Sequence, residues 1–199
     1  KKLSIAFFES KPDLLINFAA ESHVDNSIKS SKKFINTNIF GVYNLLEISR
    51  KYIEKKNKKK FLFLQISTDE VYGDIINKKS SKETDNVIPS SPYSATKAAA
   101  ENLVVAWSRT YKMPYIITNS SNNYGPFQNK EKLIPTVINN ILNNKKIPIY
   151  GDGKQQRNWI HVSDNINAIL TILQKGKLNN KYNIGTLLYK IFPKSKSFK

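Results

Sequence analysis

Phe61-Leu62-Phe63-Leu64-Gln65-Ile66-Ser67-Thr68-Asp69-Glu70 passes from almost unbroken apolar character directly into two adjacent carboxylates. An apolar run this short suits a strand better than a helix. Without polar alternation, it suits a strand covered on both faces, as in a parallel sheet. Such a sheet needs crossover helices, and the flanking sequence supplies them. Upstream, Ile35, Ile39, Val42, Leu45, Leu46 and Ser49 recur at three- and four-residue spacing, which predicts a helix over 33–52 with one buried face. Before it, the run 14–19 follows Lys11-Pro12-Asp13 and reads as another buried strand. Downstream, a polar stretch over 74–91 ends at Ser91-Pro92, a capping residue followed by proline in the first helical turn. That predicts a helix to about Lys112, and 115–118 is the next strand. The strand–helix–strand–helix–strand order predicts an α/β fold, a doubly wound parallel sheet with right-handed crossovers.

The rhythm changes after Asn122. Asn123-Tyr124-Gly125-Pro126 reads as a turn, followed by a helix over 132–144, a short strand over 147–150 and the turn Gly151-Asp152-Gly153. Trp159-Ile160-His161 leads into a helix over 162–175, and 182–184 is a last strand. The expected division is a main domain over 1–121 and a small lobe over 122–199 that partly returns to the main sheet.

Composition narrows the class. The chain has 199 residues, 40% hydrophobic and 24% charged, which is the balance of a globular protein. No apolar run reaches the length of a membrane-spanning helix, and no membrane partner is expected. There is no cysteine, so disulfides and thiolate metal sites are excluded, in keeping with a cytoplasmic protein. The formal charge is +17, but Arg50, Arg109 and Arg157 are the only arginines. Lysine, asparagine and isoleucine, the residues of AT-rich codons, account for the excess. The densest cluster, Lys55 to Lys60, falls between a helix and a strand, where a solvated loop is expected. No nucleic-acid partner is expected.

Two constellations carry chemistry. Ser67-Thr68-Asp69-Glu70-Val71-Tyr72-Gly73 stands at the carboxyl end of a predicted strand, where open α/β sheets bind ligands. Adjacent acids in unlike surroundings can divide into proton donor and proton acceptor. Tyr93-Ser94-Ala95-Thr96-Lys97 places a phenol and an ammonium four residues apart on one helix face. A neighbouring ammonium lowers a phenol's pKa by roughly 1–3 pH units, which would let Tyr93 take a proton from a hydroxyl. Either motif alone is common by chance. His23 and His161 have no acidic partners at ligand spacing, so no metal site is expected.

Taken together, the two motifs resemble the extended short-chain dehydrogenase/reductase family, in its branch that dehydrates nucleotide-activated hexoses. The blocks from Ala19 to Asp25, Asn119 to Pro126, and Pro148 through Trp159 extend the likeness over roughly residues 10 to 185. The resemblance implies a Rossmann-type domain that binds NAD, a substrate-binding lobe, and a homodimer formed through the helices at 33–52 and 92–112. It implies conversion of dTDP-glucose to its 4-keto-6-deoxy product. The alternatives are a UDP-glucose 4,6-dehydratase, another dehydratase or epimerase of the family, or an inactive fragment. Tyr93, with Lys97 and Thr68, would take the C4 hydroxyl proton; Glu70 would take the C5 proton, and Asp69 would protonate the departing C6 hydroxyl. Phe18, Ala19, Ala20, Glu21, Thr37, Tyr93, Lys97 and Asn123 match cofactor-lining positions. Ser22, Thr68, Asn122, Lys132, Leu133, Tyr150 and Arg157 match positions facing the nucleotide sugar.

Three departures accompany the likeness. The first glycine is Gly41, so no Gly-rich pyrophosphate turn precedes the strand at 14–19. The expectation is an N-terminally truncated sheet with an open edge at that strand, weak NAD binding and a tendency to aggregate. Asn158 stands where the family carries an acid, and 186–199 does not match the family's pattern.

Overall fold

A computed structural model of the chain describes residues 2–56, 60–74, 80–147, 149, 153 and 156–186, and the backbone of 189–190. The chain divides into two compact units, one formed by Lys1–Ser120 with Thr171–Asn183, the other by Ser121–Leu170 with Ile184–Lys199.

The first unit is built on a sheet of strands β1 (Leu14–Asn17), β2 (Leu62–Thr68), β3 (Tyr115–Ser120) and β6 (Asn180–Ile184), in that spatial order. β1 and β3 both run parallel to β2, with Leu14 opposite Leu62 and Thr68 opposite Ser120. This is the α/β parallel sheet expected from the apolar runs. Phe63 and Leu64 point to opposite faces, yet both are fully buried, so β2 is covered on both sides. The polar exceptions are paired: Asn17 Nδ2 donates to Gln65 Oε1 across the β1–β2 pair at 3.0 Å.

Helix α1 (Lys2–Ser10), α4 (Gly41–Lys56) and α5 (Pro92–Tyr111) share one core with the sheet. Phe7, Val42, Leu46, Tyr52, Phe61 and Val104 are among its buried members. Phe7, Tyr52 and Phe61 pack as an aromatic trio with ring centroids 5.4 to 6.2 Å apart. α5 starts where the sequence predicts. Ser91 caps it, accepting from the Ser94 amide at 3.1 Å, while Ser94 Oγ accepts from the Ser91 amide at 3.0 Å. It ends at Lys112, in a left-handed conformation.

The helix predicted over 33–52 differs in detail. Helical structure runs through α3 (Ser31–Phe34), a π-helical stretch over Ile35–Phe40, and then α4. The wider turn buries the side chain of Asn38. A short helix α2 (Val24–Lys29) was not expected. It has too few residues to show a period, and its cap is His23, whose Nδ1 accepts from the Asn26 amide at 3.4 Å.

In the second unit, β4 (Asn122–Tyr124) pairs parallel with β5 (Arg157–His161), and β7 (Tyr189–Lys190) pairs antiparallel with β5. The turn expected at 123–126 is thus corrected: Asn123 and Tyr124 belong to a strand, and the chain turns after Gly125. Polar side chains hid that strand, which is held by its backbone ladder to Trp159–His161. α6 (Leu133–Leu142) and α7 (Val162–Lys175) lie close to their predicted bounds. Of the strand expected over 147–150, Ile147 and Ile149 lie in no strand, and Pro148 and Tyr150 are outside the described residues. The divergent tail is described only through Thr186 and the backbone of β7.

Candidate active site

The carboxyl end of β2 turns directly into a single 3-10 turn, Asp69–Tyr72. Thr68 caps it, its Oγ1 accepting from the Glu70 amide at 3.3 Å and donating to Asp69 Oδ1 at 3.4 Å. Gly73 closes the turn at φ 77°, where a Cβ would stand 2.1 Å from the Ile88 carbonyl oxygen. Any larger residue would push the Asp69–Glu70 turn out of place.

α5 presents Tyr93 and Lys97 beside this turn. Both are buried, Tyr93 at 8% and Lys97 at 5% exposure. The Tyr93 amide donates to Ser27 Oγ on α2 at 3.1 Å, and its ring meets Phe34 edge-on at 6.4 Å. Burial raises the pKa of the Tyr93 phenol above its ordinary value, and the Glu70 carboxylate adds to the rise. A hydrogen bond with the Thr68 side chain pulls it back, and Asp69 again raises it. Thr68, Asp69, Glu70 and Tyr93 are therefore electrostatic neighbours at one end of the sheet.

These four influences set the phenol's pKa, while the Lys97 ammonium is engaged elsewhere. Lys97 Nζ donates to the Ile66 carbonyl at 2.6 Å. Its own pKa falls from 10.5 to about 8 through burial, with Glu101 opposing the fall.

Glu101 lies one further turn along the same helix face and is only 3% exposed. Its Oε1 accepts from Ser67 Oγ at 2.5 Å and from Asn119 Nδ2 at 2.6 Å. Its Oε2 pairs with Lys181 Nζ at 2.6 Å. Asn119 Nδ2 also donates to the Thr68 carbonyl at 3.0 Å, joining β3 to the strand end that carries the acids.

Phe18, Ala19, Ala20, Glu21 and Ser22 form the segment after β1, again at a carboxyl strand end. Phe18 is 54% exposed there. The segment is clamped by Asn38: its Oδ1 accepts from the Glu21 amide at 2.9 Å, and its Nδ2 donates to the Glu21 carbonyl at 3.0 Å. The same Nδ2 reaches Thr96 Oγ1 at 2.9 Å, and Thr96 Oγ1 donates to the Tyr93 carbonyl at 2.7 Å. Thr37, the neighbour of Asn38, is half-buried on the π-helical stretch. Lys33 pairs with the Glu21 carboxylate at 2.8 Å.

The remaining candidates belong to the second unit. Asn122 and Asn123 lie on β4, with Asn123 Nδ2 donating to the Ser121 carbonyl at 3.0 Å. Lys132 and Leu133 mark the start of α6, and Arg157 opens β5 exposed to solvent. Tyr150 is outside the described residues. His161 packs edge-on to Tyr124 at 5.2 Å, and its Nδ1 accepts from the Ser163 amide at 3.3 Å. Asn158 Oδ1 accepts from the Thr186 amide at 3.0 Å, and its Nδ2 donates to the Thr186 carbonyl, a bond the family's acid would not make. Among the described residues, no group of three His, Cys, Asp or Glu is placed to hold a metal ion.

Sequence reasoning missed Asn38, Glu101, Asn119 and Lys181. Only Glu101 left a signal: it continues the four-residue spacing of Tyr93 and Lys97 by one more turn.

The family model for GDP-mannose 4,6 dehydratase matches residues 1–193. The dTDP-glucose 4,6-dehydratase of Haemophilus influenzae is 50% identical over 183 residues, covering 90% of this chain and 54% of that protein. The crystal structure of dTDP-glucose 4,6-dehydratase from Bacillus anthracis in complex with NAD superposes with a TM-score of 0.83 at 40% identity. It covers 96% of this chain and 56% of that one. UDP-glucuronic acid 4-epimerase from Bacillus cereus, in complex with UDP-glucuronic acid and NAD, gives 0.85 at 27% identity, covering 96% and 58%. The chain spans about half the length of these relatives.

Proposed function

Because the chain belongs to the GDP-mannose 4,6 dehydratase family, we propose that it carries the catalytic residues of an NAD-dependent lyase that converts dTDP-glucose to its 4-keto-6-deoxy product. The observation behind this reading is the grouping of Asp69, Glu70 and Thr68 around the Tyr93 phenol, strong enough for both acids to raise that phenol's pKa. An epimerase needs no acid–base pair for elimination. A 4,6-dehydratase needs both members, and relatives named for that activity share 44% to 50% identity with this chain.

The described residues fit the cofactor. An exposed Phe18 and two alanines offer an apolar wall at a carboxyl strand end, with the Lys97 ammonium and the Tyr93 hydroxyl on the neighbouring helix. Phe18, Ala19, Ala20, Glu21, Thr37, Tyr93, Lys97 and Asn123 are the residues we assign to NAD. When bound, NAD supplies an acceptor that takes a hydride from the sugar and later gives it back.

This chain's residues then move three protons. Tyr93 takes the proton of the C4 hydroxyl. Its phenol is held protonated by burial and by two carboxylates, so a cation must draw near it first, and Lys97 is the one at hand. The resulting ketone acidifies the C5 hydrogen, which Glu70 removes. Asp69 donates a proton to the C6 hydroxyl, which leaves as water. Removal of the C5 hydrogen and loss of the C6 hydroxyl are the dehydration; the hydride returned to C6, together with a solvent-exchanged proton added at C5, completes the 4-keto-6-deoxy sugar and makes the cycle redox-neutral.

We assign the second unit to the nucleotide sugar, as the substrate-binding lobe, with Asn122, Lys132, Leu133, Tyr150 and Arg157 in that role, and give the same role to Ser22 and Thr68 of the first unit. Arg157 suits a diphosphate through its planar fork of donors. The exposed aromatic residues Tyr43 on α4 and Tyr111 on α5 support a homodimer through those helices. No described helix is long and apolar enough to cross a membrane, and we place the enzyme in the cytoplasm. The test is turnover of the full-length protein with NAD on dTDP-glucose and, separately, on UDP-glucose. The 4-keto product is expected from dTDP-glucose; preference for UDP-glucose would reassign the base, and no product from either would reject the dehydratase.

A further inference from the structure

Tyr93, Lys97 and Glu101 occupy three successive turns of one face of α5. The first two have roles in the proposed reaction, whereas Glu101 touches none of the candidate ligand positions. It is nevertheless a carboxylate buried almost completely, which is costly unless it is paired and hydrogen-bonded. Three elements converge to hold it: Ser67 from β2, Asn119 from β3 and Lys181 from β6. Lys181 is itself fixed, with its ammonium 5.5 Å from the centre of the Tyr72 ring.

We propose that Glu101 is a positioning residue, the negative charge that keeps Lys97 an ammonium within this buried site and so available to the phenol, and that Lys181 sets how much of that negative charge Lys97 feels. The proposal rests on the dehydratase reading of the site, in which Lys97 must carry a positive charge. Lys97 and Glu101 stand four residues apart on α5, both buried, and they anchor to consecutive residues of β2, Lys97 to the Ile66 carbonyl and Glu101 to the Ser67 hydroxyl. The elements packed against α5 bring Asp25 and Lys29 on α2, Lys32 and Lys33 on α3, Tyr43, Glu47 and Arg50 on α4, Tyr115 on β3, and Asp69, Glu70 and Tyr72 on the 3-10 turn. Tyr93 lies on α5 itself. Set against all these, it is Glu101, on the same helix face, whose charge opposes the effect of burial on Lys97. Lys181, the cation on β6, faces Glu101 from the other side.

Removing either partner has opposite consequences, which a merely structural role would not produce. Without the Glu101 charge, Lys97 loses its proton at lower pH. Without the Lys181 charge, Glu101 is less neutralised and Lys97 keeps its proton to higher pH. The experiment follows kcat/KM against pH for the full-length protein with NAD and dTDP-glucose, comparing wild type with Glu101→Gln, Glu101→Asp and Lys181→Gln. The alkaline limb is expected to move down by roughly 1 pH unit in Glu101→Gln, to return in Glu101→Asp, and to move up in Lys181→Gln. An alkaline limb that stays in place, or moves the same way in both Gln variants, overturns the proposal. Should Glu101→Gln fail to fold, the direction in Lys181→Gln decides alone. Should the wild type form no 4-keto sugar, the dehydratase reading fails first. The same shifts are then sought in the pH dependence of Lys97 acetylation by acetic anhydride, read by mass spectrometry, and their absence there refutes the counter-ion role.

Discussion

Replacing Lys97 with methionine tests the electrostatics of the site through stability rather than activity. The Lys97 ammonium is buried, and its pKa drops from 10.5 to about 8 on folding, chiefly through loss of solvent. At about 1.4 kcal/mol per pH unit, keeping that charge in the folded chain costs about 3 kcal/mol. The sign follows from proton binding. Below about pH 8 the lysine is charged in both states and the cost is felt in full. Above that, the folded chain releases the proton while the unfolded chain still holds it, so stability rises with pH until the unfolded pKa is reached. Between about pH 7.5 and 9.5 the gain is about 2 kcal/mol. The phenols of Tyr72, Tyr93 and Tyr115 are all raised by burial and act in the opposite sense only above their unfolded pKa of 10. The assay is urea unfolding of wild type and Lys97→Met at several pH values across that window. The wild type is expected to gain about 2 kcal/mol relative to the variant as pH rises. Absolute stability at neutral pH is less telling, because methionine leaves the Ile66 carbonyl without its donor, at about 1–3 kcal/mol. A difference between the two proteins that does not change with pH would refute the reasoning.

Two further outcomes concern the cofactor segment and the acid. Asn38→Ala removes both bonds to the Glu21 backbone and one to Thr96; it should cost about 2–3 kcal/mol in thermal unfolding and weaken NAD binding in calorimetry. NAD affinity equal to wild type would show that the clamp does not shape the cofactor segment. Asp69→Asn should slow formation of the 4-keto-6-deoxy product by roughly 10²–10⁴ while dTDP-glucose still reduces NAD in a single turnover; equal product formation would remove Asp69 from the acid role.

Much of the first unit was legible because local signals agreed with the tertiary result. The β2 run has no polar alternation and is buried on both faces; Ser91-Pro92 caps α5 as its chemistry demands. The Tyr93–Lys97 spacing put both residues on one face, and the Asp69–Glu70 pair fell at a strand end, where the structure holds them beside the phenol. What was not legible depends on contacts far apart in sequence. The π-helical stretch exists where Asn38 turns inward to reach Glu21 and Thr96, 17 and 58 residues away. β4 is polar and owes its conformation to β5. The orientation of Lys97 toward a backbone carbonyl could not be deduced from a motif that implied it would face the phenol. Lys181 is one lysine among many until β6 brings it to Glu101.

The most direct measurement uses dTDP-glucose carrying deuterium at C4 of the hexose, turned over by the full-length protein with NAD and examined by NMR. Convergence of Tyr93, Glu70 and Asp69 on a single ring predicts that the deuterium is found at C6 of the 4-keto product, with a solvent-derived hydrogen at C5. Deuterium retained at C4, or lost to solvent, would contradict it.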